Sequence, residues 1–499
     1  MIGVKAAAIG PVDPWEMTTT PSAERNRIFT ILIGAALAAT MLALPAPGDM
    51  PVAAWRVAAV ALLMATWWIT EAIPIPATSL LPLVLFPLLG INALRDAAAP
   101  YADPIIFLFL GGFVIATAMQ RWSLHRRIGL SVVALVGVTS RRLSGGLLLA
   151  TAFLSMWISN SATAIIMLPV AISVLALLEG AHSDLSETAR RNLRIALLLS
   201  VAYGASIGGL ATLIGTPANA LLAAYLAREQ GIVIGFAQWM LLGLPLTVLL
   251  LGAVWLLLNW LYPVGHEIGG SAGHFVTDEL AKLGPMSRAE IRVAVVFVLT
   301  ALAWMLRPLY GAMIPALDDT LIALIGALAL FLLPSGMPDQ SRLLAWEDTK
   351  GLPWDVLILF GSGLSLAAAI SASGLAQWLG QSMQMLAGLP AIWLVAAATV
   401  TMLFLTELTS NTASAATFIP ITGAIAAGIG LDPLLMTLPL ALAASCAFMM
   451  PVATPPNAIV FASGQVTIAQ MARAGIWVNL IAAVLIMAIC YPLGAVLFR

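Results

Sequence analysis

Apolar runs of about twenty residues, separated by short polar connectors, recur along the whole chain. Continuous runs lie at 28–45, 52–70, 73–90, 104–121, 238–262, 289–307, 318–334, 354–379 and 475–498. Each approaches or exceeds the ~20 residues a helix needs to cross the hydrocarbon layer. Two more, 192–228 and 433–472, are apolar but broken in the middle by "IGTPANA" and "VATPPNA". Together these make eleven crossings. Two stretches remain, 143–178 and 390–428, each long enough for two short helices. Each carries a polar cluster near its middle, "WISNSATAIIMLPV" in the first and "ELTSNTASAATFIPI" in the second. The pattern predicts an all-α polytopic membrane protein, because a helix satisfies its own backbone groups in lipid.

Basic residues fix the orientation, since cytoplasmic loops collect Lys and Arg. With the N-terminus inside, only Arg56, Arg95, Arg228, Arg307 and Arg499 of the 22 Lys and Arg fall outside. That assignment works only if both leftover stretches enter and leave on one side. They are therefore expected to be re-entrant hairpins, the first from the cytoplasm and the second from outside, with the C-terminus outside. The predicted location is the inner (cytoplasmic) membrane. The first 24 residues lack the apolar core and cleavage pattern of a secretory signal and read as a flexible cytoplasmic tail.

The chain also repeats. "DPIIFLFLGGFVIATA" at 103 aligns with "DVLILFGSGLSLAAAI" at 355, pairing Asp103 with Asp355, Gly111 with Gly363 and Ala116 with Ala368. In the same order, Ser159, Asn160, Ala162, Ala164 and Pro169 match Ser410, Asn411, Ala413, Ala415 and Pro420, and Thr216, Pro217 and Asn219 match Thr454, Pro455 and Asn457. Five crossings separate the two repeat starts, so the copies point in opposite directions. Inverted-topology repeats are a recurring design of secondary transporters, with substrate and coupling ions held where interrupted helices meet.

Composition agrees with the pattern. Hydrophobic residues make up 61% of the chain and charged residues 9%, against roughly a quarter charged in soluble domains. A formal net charge of −1 gives no reason to expect nucleic acid as a partner. Cys446 and Cys490 lie in apolar runs and read as small buried hydrophobes. The four His residues, 125, 182, 266 and 274, form no ligand spacing. With no metal-cluster or nucleophile motif either, a membrane enzyme is disfavoured. A channel is disfavoured because inverted repeats around a closed midplane site fit a carrier.

Non-helical backbone at membrane depth is tolerated where it lines a cavity or is packed in protein. A hairpin tip and a Pro-broken helix both supply it. Their helix N-termini attract anions and their C-terminal carbonyls attract small cations, while Ser, Thr and Asn side chains serve either. Neither Ser-Asn tip nor either Thr-Pro break contains Lys or Arg. An anionic substrate would then have to be balanced by dipoles and co-bound cations. Glu407 beside the second motif is a functional candidate as an intramembrane carboxylate, yet its counterpart under the repeat is Met156. It reads more readily as a structural partner for a hydroxyl or a helix end. Glu71 and Asp103 are expected at span ends, and Trp67 with Trp68 as an interface or packing pair.

The motifs "SNSATAIIMLPV", "GTPANA", "ELTSNTASAATFIP" and "ATPPNAIVFASG" resemble those of the divalent anion:sodium symporter family, which handles dicarboxylates, citrate and sulfate. The resemblance extends from about residue 28 to the end. It implies a homodimer in which a fixed scaffold supports a transport domain that moves as an elevator. The parts would be a tail over 1–27, scaffold over 28–126 and 263–380, and transport domain over 127–262 and 381–499. By position, a first sodium site would involve Ser155, Ser159, Asn160 and the backbone at Gly215. A second would involve Thr406, Thr409, Asn411 and the backbone at Ala453. Substrate carboxylates would lie against Asn160, Ser161, Thr216, Asn411, Thr412, Thr454 and Pro455. Two positions depart from the family pattern: Ser161 stands where Thr is usual, and Ala218 follows Pro217 where a second Pro is usual.

The expected function is sodium-coupled symport of a C4-dicarboxylate such as succinate, malate or fumarate, with Na+ as coupling ion and no organic cofactor. The alternatives are a sodium-independent anion exchanger, or a citrate or sulfate transporter, of the same fold.

Overall fold

Helices occupy every apolar run that the sequence marks, and the polar connectors supply their caps. Asp103 accepts from the Ile105 amide at the start of Pro104–Arg121, Asp318 from Leu321 ahead of Asp319–Leu332, and Asp432 from Leu434 ahead of Pro433–Ala444. Ser287 and Glu290 form a reciprocal capping box at the start of Arg288–Tyr310, satisfying two otherwise orphaned amides. This computed structural model describes residues 21–136, 140–181, 186–264, 271–338, 341–384 and 388–498. The expectations for the first 20 residues, His182, His266 and Arg499 lie outside them. Among the described residues the regular structure is helical, with one isolated bridge between Pro334 and Arg342.

Seven of the described helices are long and apolar enough to cross a membrane: Val52–Thr70, Leu94–Arg121, Asn160–Leu178, Phe236–Leu261, Arg288–Tyr310, Trp354–Ala372 and Ile468–Phe498. Shorter apolar helices include Arg27–Ala43, Ile75–Leu88, Asp319–Leu332, Ala391–Leu405 and Pro433–Ala444. Phe236–Leu261, Arg288–Tyr310, Asp319–Leu332 and Ile468–Phe498 expose large apolar side chains such as Leu241, Leu299, Leu328 and Val484. An apolar surface of that extent suits lipid rather than water.

Three details differ from the sequence expectation. The run 73–90 holds two short helices, Ile75–Thr78 and Leu81–Leu88, in place of one continuous span. The run 354–379 is not one helix, because Gly374 at φ 82° turns the chain between Trp354–Ala372 and Leu375–Ser382. The first hairpin is also uneven. Its arms are Ser140–Ser155 and Asn160–Ala181, and the second arm has 22 residues. The second hairpin has arms Ala391–Leu405 and Asn411–Gly428.

The broken helices form the centre. Glu187–Gly208 starts with a charged, partly exposed turn and is continuously buried from Ile195 to Gly208, where it is apolar or small on every face, and it packs against both arms of the first hairpin. Pro433–Ala444 does the same with both arms of the second. The halves then interlock crosswise. Asn160–Ala181 packs on Pro455–Ala462, and Asn411–Gly428 packs on Pro217–Gln230.

At the edge of this centre, a short amphipathic helix, Leu124–Val136, is tied to Arg288–Tyr310 by an ion pair. Arg127 meets both carboxylate oxygens of Glu290, at 2.5 and 3.2 Å, and donates to the Gly284 carbonyl. Glu290 is buried and is the same residue that closes the capping box.

Close approach of the central helices depends on Gly208, where an added Cβ would meet the Ala152 carbonyl oxygen at 2.3 Å. Backbone cannot yield as a side-chain tip does. Gly208→Ala is expected to destabilise the fold by about 1–3 kcal/mol, as overpacking does. Gly252→Ala, inside Phe236–Leu261 with nothing within 4 Å, is expected to stabilise by up to about 1 kcal/mol, as Ala does over Gly in a helix interior. Melting temperatures of the purified variants check both.

Candidate functional site

Each hairpin reverses at its polar cluster, and each broken helix is interrupted beside it. In the first half Ser155 ends one arm and Asn160 begins the next. In the second half Thr406 and Asn411 stand at the equivalent places. The local geometry repeats closely. Ser155 Oγ lies 2.6 Å from Asn160 Oδ1 and 2.6 Å from the Ala205 carbonyl. Thr406 Oγ1 lies 2.5 Å from Asn411 Oδ1 and 2.9 Å from the Ala444 carbonyl. A hydroxyl carries one proton, so as oriented each trio of oxygens has a single donor among them. Ala205 and Ala444 sit in the last turns of Glu187–Gly208 and Pro433–Ala444, where the helix dipole is negative. Neutral oxygens short of donors at a negative helix end suit a small monovalent cation.

The broken helices resume in matched fashion. Thr216 and Thr454 adopt the same extended backbone, φ −141° ψ 143° and φ −139° ψ 147°. A Pro follows each at the first helical position, where its missing N–H costs nothing. Asn219 Nδ2 donates to the carbonyls of Gly209 and Thr212 at 3.1 and 2.9 Å, and Asn457 Nδ2 to those of Ala447 and Met450 at 3.2 and 3.1 Å. These amides staple each unwound loop. Inside it, Gly215 N bonds Thr212 O at 3.3 Å and Ala453 N bonds Met450 O at 3.2 Å. Gly215 has no room for a side chain, because an added Cβ would meet Gly209 O at 2.5 Å. A Cβ on Gly209 would in turn lie 2.9 Å from both Asn160 Oδ1 and Gly215 O. The first tip and the first break are therefore in contact.

The two halves meet as well. Thr216 Oγ1 and Ser445 Oγ are 3.1 Å apart, although the residues are 229 positions apart in sequence. Asn160, Ser161, Asn411 and Thr412 are half-buried at the tips, Thr216 and Thr454 are buried, and Pro455 is exposed. Among the described residues, the hydroxyls of Ser161 and Thr412 have no hydrogen-bond partner. Four helix N-termini open at these tips and breaks, those of Asn160–Ala181, Pro217–Gln230, Asn411–Gly428 and Pro455–Ala462. Each presents a positive dipole end, and all but Pro455–Ala462 present unpaired amides as well, which is what an anion needs; that helix opens on Pro455 and Pro456, which have no N–H, and its next amide, of Asn457, is capped by Thr454 Oγ1 at 3.3 Å.

Ser159 and Thr409 stand apart from the oxygen trios. Ser159 Oγ accepts from the Ala162 amide at 3.4 Å, a capping contact that Ser410 repeats with Ala413 at 3.5 Å. The Thr409 hydroxyl engages the Leu405 carbonyl at 2.9 Å and Ser414 Oγ at 2.7 Å. Its repeat position is Ile158, which explains why the buried Thr163 hydroxyl, equivalent to Ser414, has no partner. The carbonyls of Ala205 and Ala444, the staples and the Thr216–Ser445 link escaped the sequence reading. Backbone oxygens leave no residue signature, although the match of Asn219 with Asn457 pointed at the staples.

The remaining sequence candidates have structural places. Glu71 ends Val52–Thr70 in the left-handed region at φ 47° and is exposed. Trp67 donates to the Ile31 carbonyl at 3.3 Å, and the fully buried Trp68 donates to Ser79 Oγ at 3.2 Å. Cys446 and Cys490 are buried and free.

Comparison with known proteins agrees with this architecture. The model of the sodium:sulfate symporter transmembrane region matches residues 25–499. The sodium-dependent dicarboxylate transporter SdcS of Staphylococcus aureus strain USA300 is 41% identical over 477 residues, which is 93% of this chain and 91% of SdcS. SdcS of strain NCTC 8325 has the same identity and coverage. Among solved structures, the YdaH transporter of Alcanivorax borkumensis is similar at TM-score 0.56 and 16% identity, covering 95% of this chain and 99% of its own. Neisseria gonorrhoeae MtrF, from a class of antimetabolite efflux pumps, is similar at TM-score 0.55 and 13% identity, with 93% of each chain covered. These two share the fold. A chain whose described residues form membrane-length helices and which matches one transporter family over residues 25–499 is a multi-pass membrane transporter, not an enzyme, and it belongs to the divalent anion:sodium symporter family.

Proposed function

We propose that the protein imports C4-dicarboxylates such as succinate, malate or fumarate by sodium-coupled symport. The observation that carries this reading is the pair of donor-poor oxygen trios, Ser155 with Asn160 and Ala205, and Thr406 with Asn411 and Ala444. They lie beside tips that contain no Lys or Arg. The similarity to a protein named a sodium-dependent dicarboxylate transporter supports the same reading.

In the proposed cycle two sodium ions enter first. One is held by Ser155, Ser159, Asn160 and the backbone at Gly215, the other by Thr406, Thr409, Asn411 and the backbone at Ala453. Asn160 and Asn411 serve twice: the amide oxygen faces the cation, and the remaining amide group faces the substrate. The dianion then meets the four helix N-termini, with its carboxylates against Asn160, Ser161, Thr216, Asn411, Thr412, Thr454 and Pro455. The cations carry the balance of charge that no side chain supplies, because desolvating a bare carboxylate costs several kcal/mol. Ser161 lacks the methyl group of a Thr, which leaves the pocket slightly roomier on that side.

Movement completes the proposal. The hairpins and broken helices, over 127–262 and 381–499, travel as a transport domain against a scaffold made of 28–126 and 263–380, within a homodimer. The proposed topology has eleven crossings and two hairpins in the inner membrane, with the N-terminus in the cytoplasm by the distribution of Lys and Arg and the C-terminus outside.

Purified protein in vesicles is expected to accumulate labelled succinate under an inward sodium gradient, with sodium replaced by choline as the control. Uptake that persists in choline would instead identify an exchanger, and competition by citrate or sulfate would redefine the substrate.

Asn160→Ala and Asn411→Ala each remove a ligand shared by cation and anion. A hydrogen bond to a charged group contributes about 1.5–3 kcal/mol, so sodium-dependent succinate binding is expected to weaken on the order of 10- to 100-fold in each. Titration calorimetry at fixed sodium measures the loss. Binding as tight as the parent's in both variants would contradict the site assignment.

A further inference from the structure

The two half-sites are alike in their oxygen trios and unlike in how their unwound loops are anchored. In the first half the anchor is neutral: the Thr212 hydroxyl donates to the backbone carbonyl of Met156 at 2.6 Å. In the second half it is a carboxylate. Glu407 is buried at 4% exposure. Its Oε1 accepts from the amides of Phe448 and Met449 and from Asn479 Nδ2, at 2.7, 3.0 and 2.7 Å. Its Oε2 accepts from the amides of Met449 and Met450, at 3.0 and 2.9 Å. Every partner is a donor, the pattern that an acceptor-only carboxylate takes.

The anchor is wired to the proposed second sodium site on two sides, through Thr406 and through the loop that carries Ala453. Glu407 follows Thr406 directly in the chain. From Met450, whose amide it holds, the carbonyl accepts from the Ala453 amide and from the Asn457 staple. Three successive amides pinned by one rigid group leave this loop little freedom, and a negative charge in a low-dielectric interior favours a cation nearby. Position 156 is Met, so the first half has neither the side-chain acceptor for its loop amides nor the charge.

We propose that Glu407 is a positioning residue for the second sodium site, holding the 448–453 loop in its cation-binding shape and biasing that site electrostatically, so that the second site takes sodium more tightly than the first. This rests on the sodium-coupled reading above and adds an order to the two ions.

The test uses the full-length purified protein and a readout that needs no transport. The parent and Glu407→Gln are titrated with sodium chloride against choline chloride at constant ionic strength, without substrate, and the melting temperature is followed. Glutamine keeps the length of the side chain but removes the charge and turns an NH2 group towards amide donors. The sodium concentration giving half of the stabilisation is expected to rise on the order of tenfold. A purely structural role would lower the melting temperature in choline and in sodium alike and leave that midpoint unchanged, which would overturn the proposal. Should Glu407→Gln fail to fold, Glu407→Asp keeps the charge and draws the loop in by one methylene. A raised midpoint there supports the positioning role, and an unchanged one overturns it. The two readings separate cleanly: a parent that is stabilised by sodium and accumulates succinate, with a variant midpoint equal to the parent's, sinks only this inference. A parent that responds to sodium in neither assay sinks both.

Discussion

The structure depends on one constraint: a backbone that leaves the helix at membrane depth must have its N–H and C=O groups satisfied within the protein or by what it binds. The two hairpin tips and two broken helices at the centre meet it in two ways. Some groups are closed internally. The Asn219 and Asn457 amides take up four loop carbonyls, and Glu407 takes up three consecutive loop amides. Others are left open in a patterned way, with amides at the N-termini of Asn160–Ala181, Pro217–Gln230 and Asn411–Gly428 and oxygens gathered around Ser155 and Thr406. The closed groups fix the shape of the open ones.

This division explains the composition of the motifs. Glycine is needed where loops touch, as at Gly209 and Gly215, whose mutual approach excludes a Cβ. Proline is tolerated at 217 and 455 because the first helical position has no bond to lose. Asparagine recurs because one side chain offers both a donor pair and an acceptor: 219 and 457 staple loops, while 160 and 411 face the hydroxyls. Hydroxyls at 155 and 406 bridge a tip to the broken helix packed beside it. Exchanging any of these types changes which backbone groups remain open.

Much of this was legible in the sequence. Length and apolarity marked the helices, and the repeat marked the tips and breaks, because Ser-Asn and Thr-Pro-x-Asn are rare in hydrocarbon and occur twice in the same order. What stayed hidden belongs to tertiary contact. Nothing in the chain announces that Ala205 and Ala444 lend carbonyls, or that Ser445 reaches Thr216 from the other half. The role of Glu407 was half visible. Its charge is plain in the sequence, but besides the side chain of Asn479 its partners are backbone amides some 40 residues away, and backbone amides carry no letter in a sequence. The turn at Gly374 was missed because the run 354–379 is apolar on both sides of it, and hydropathy does not register a change of direction.

A site for a dianion that contains no Lys or Arg has a consequence for the proposed cycle. A fixed cationic side chain would attract the substrate on both sides of the membrane and would hold it equally well at each. Positive charge that arrives with the cargo behaves differently: it is present where sodium is plentiful and departs where sodium is scarce. In that cycle the helix dipoles would give the anion a direction to face but only partial charge, so affinity would rise and fall with occupancy of the oxygen trios. The same open groups that could not be closed within the fold would then be the means of release, because a tip without its cations has only partial charges to hold two carboxylates.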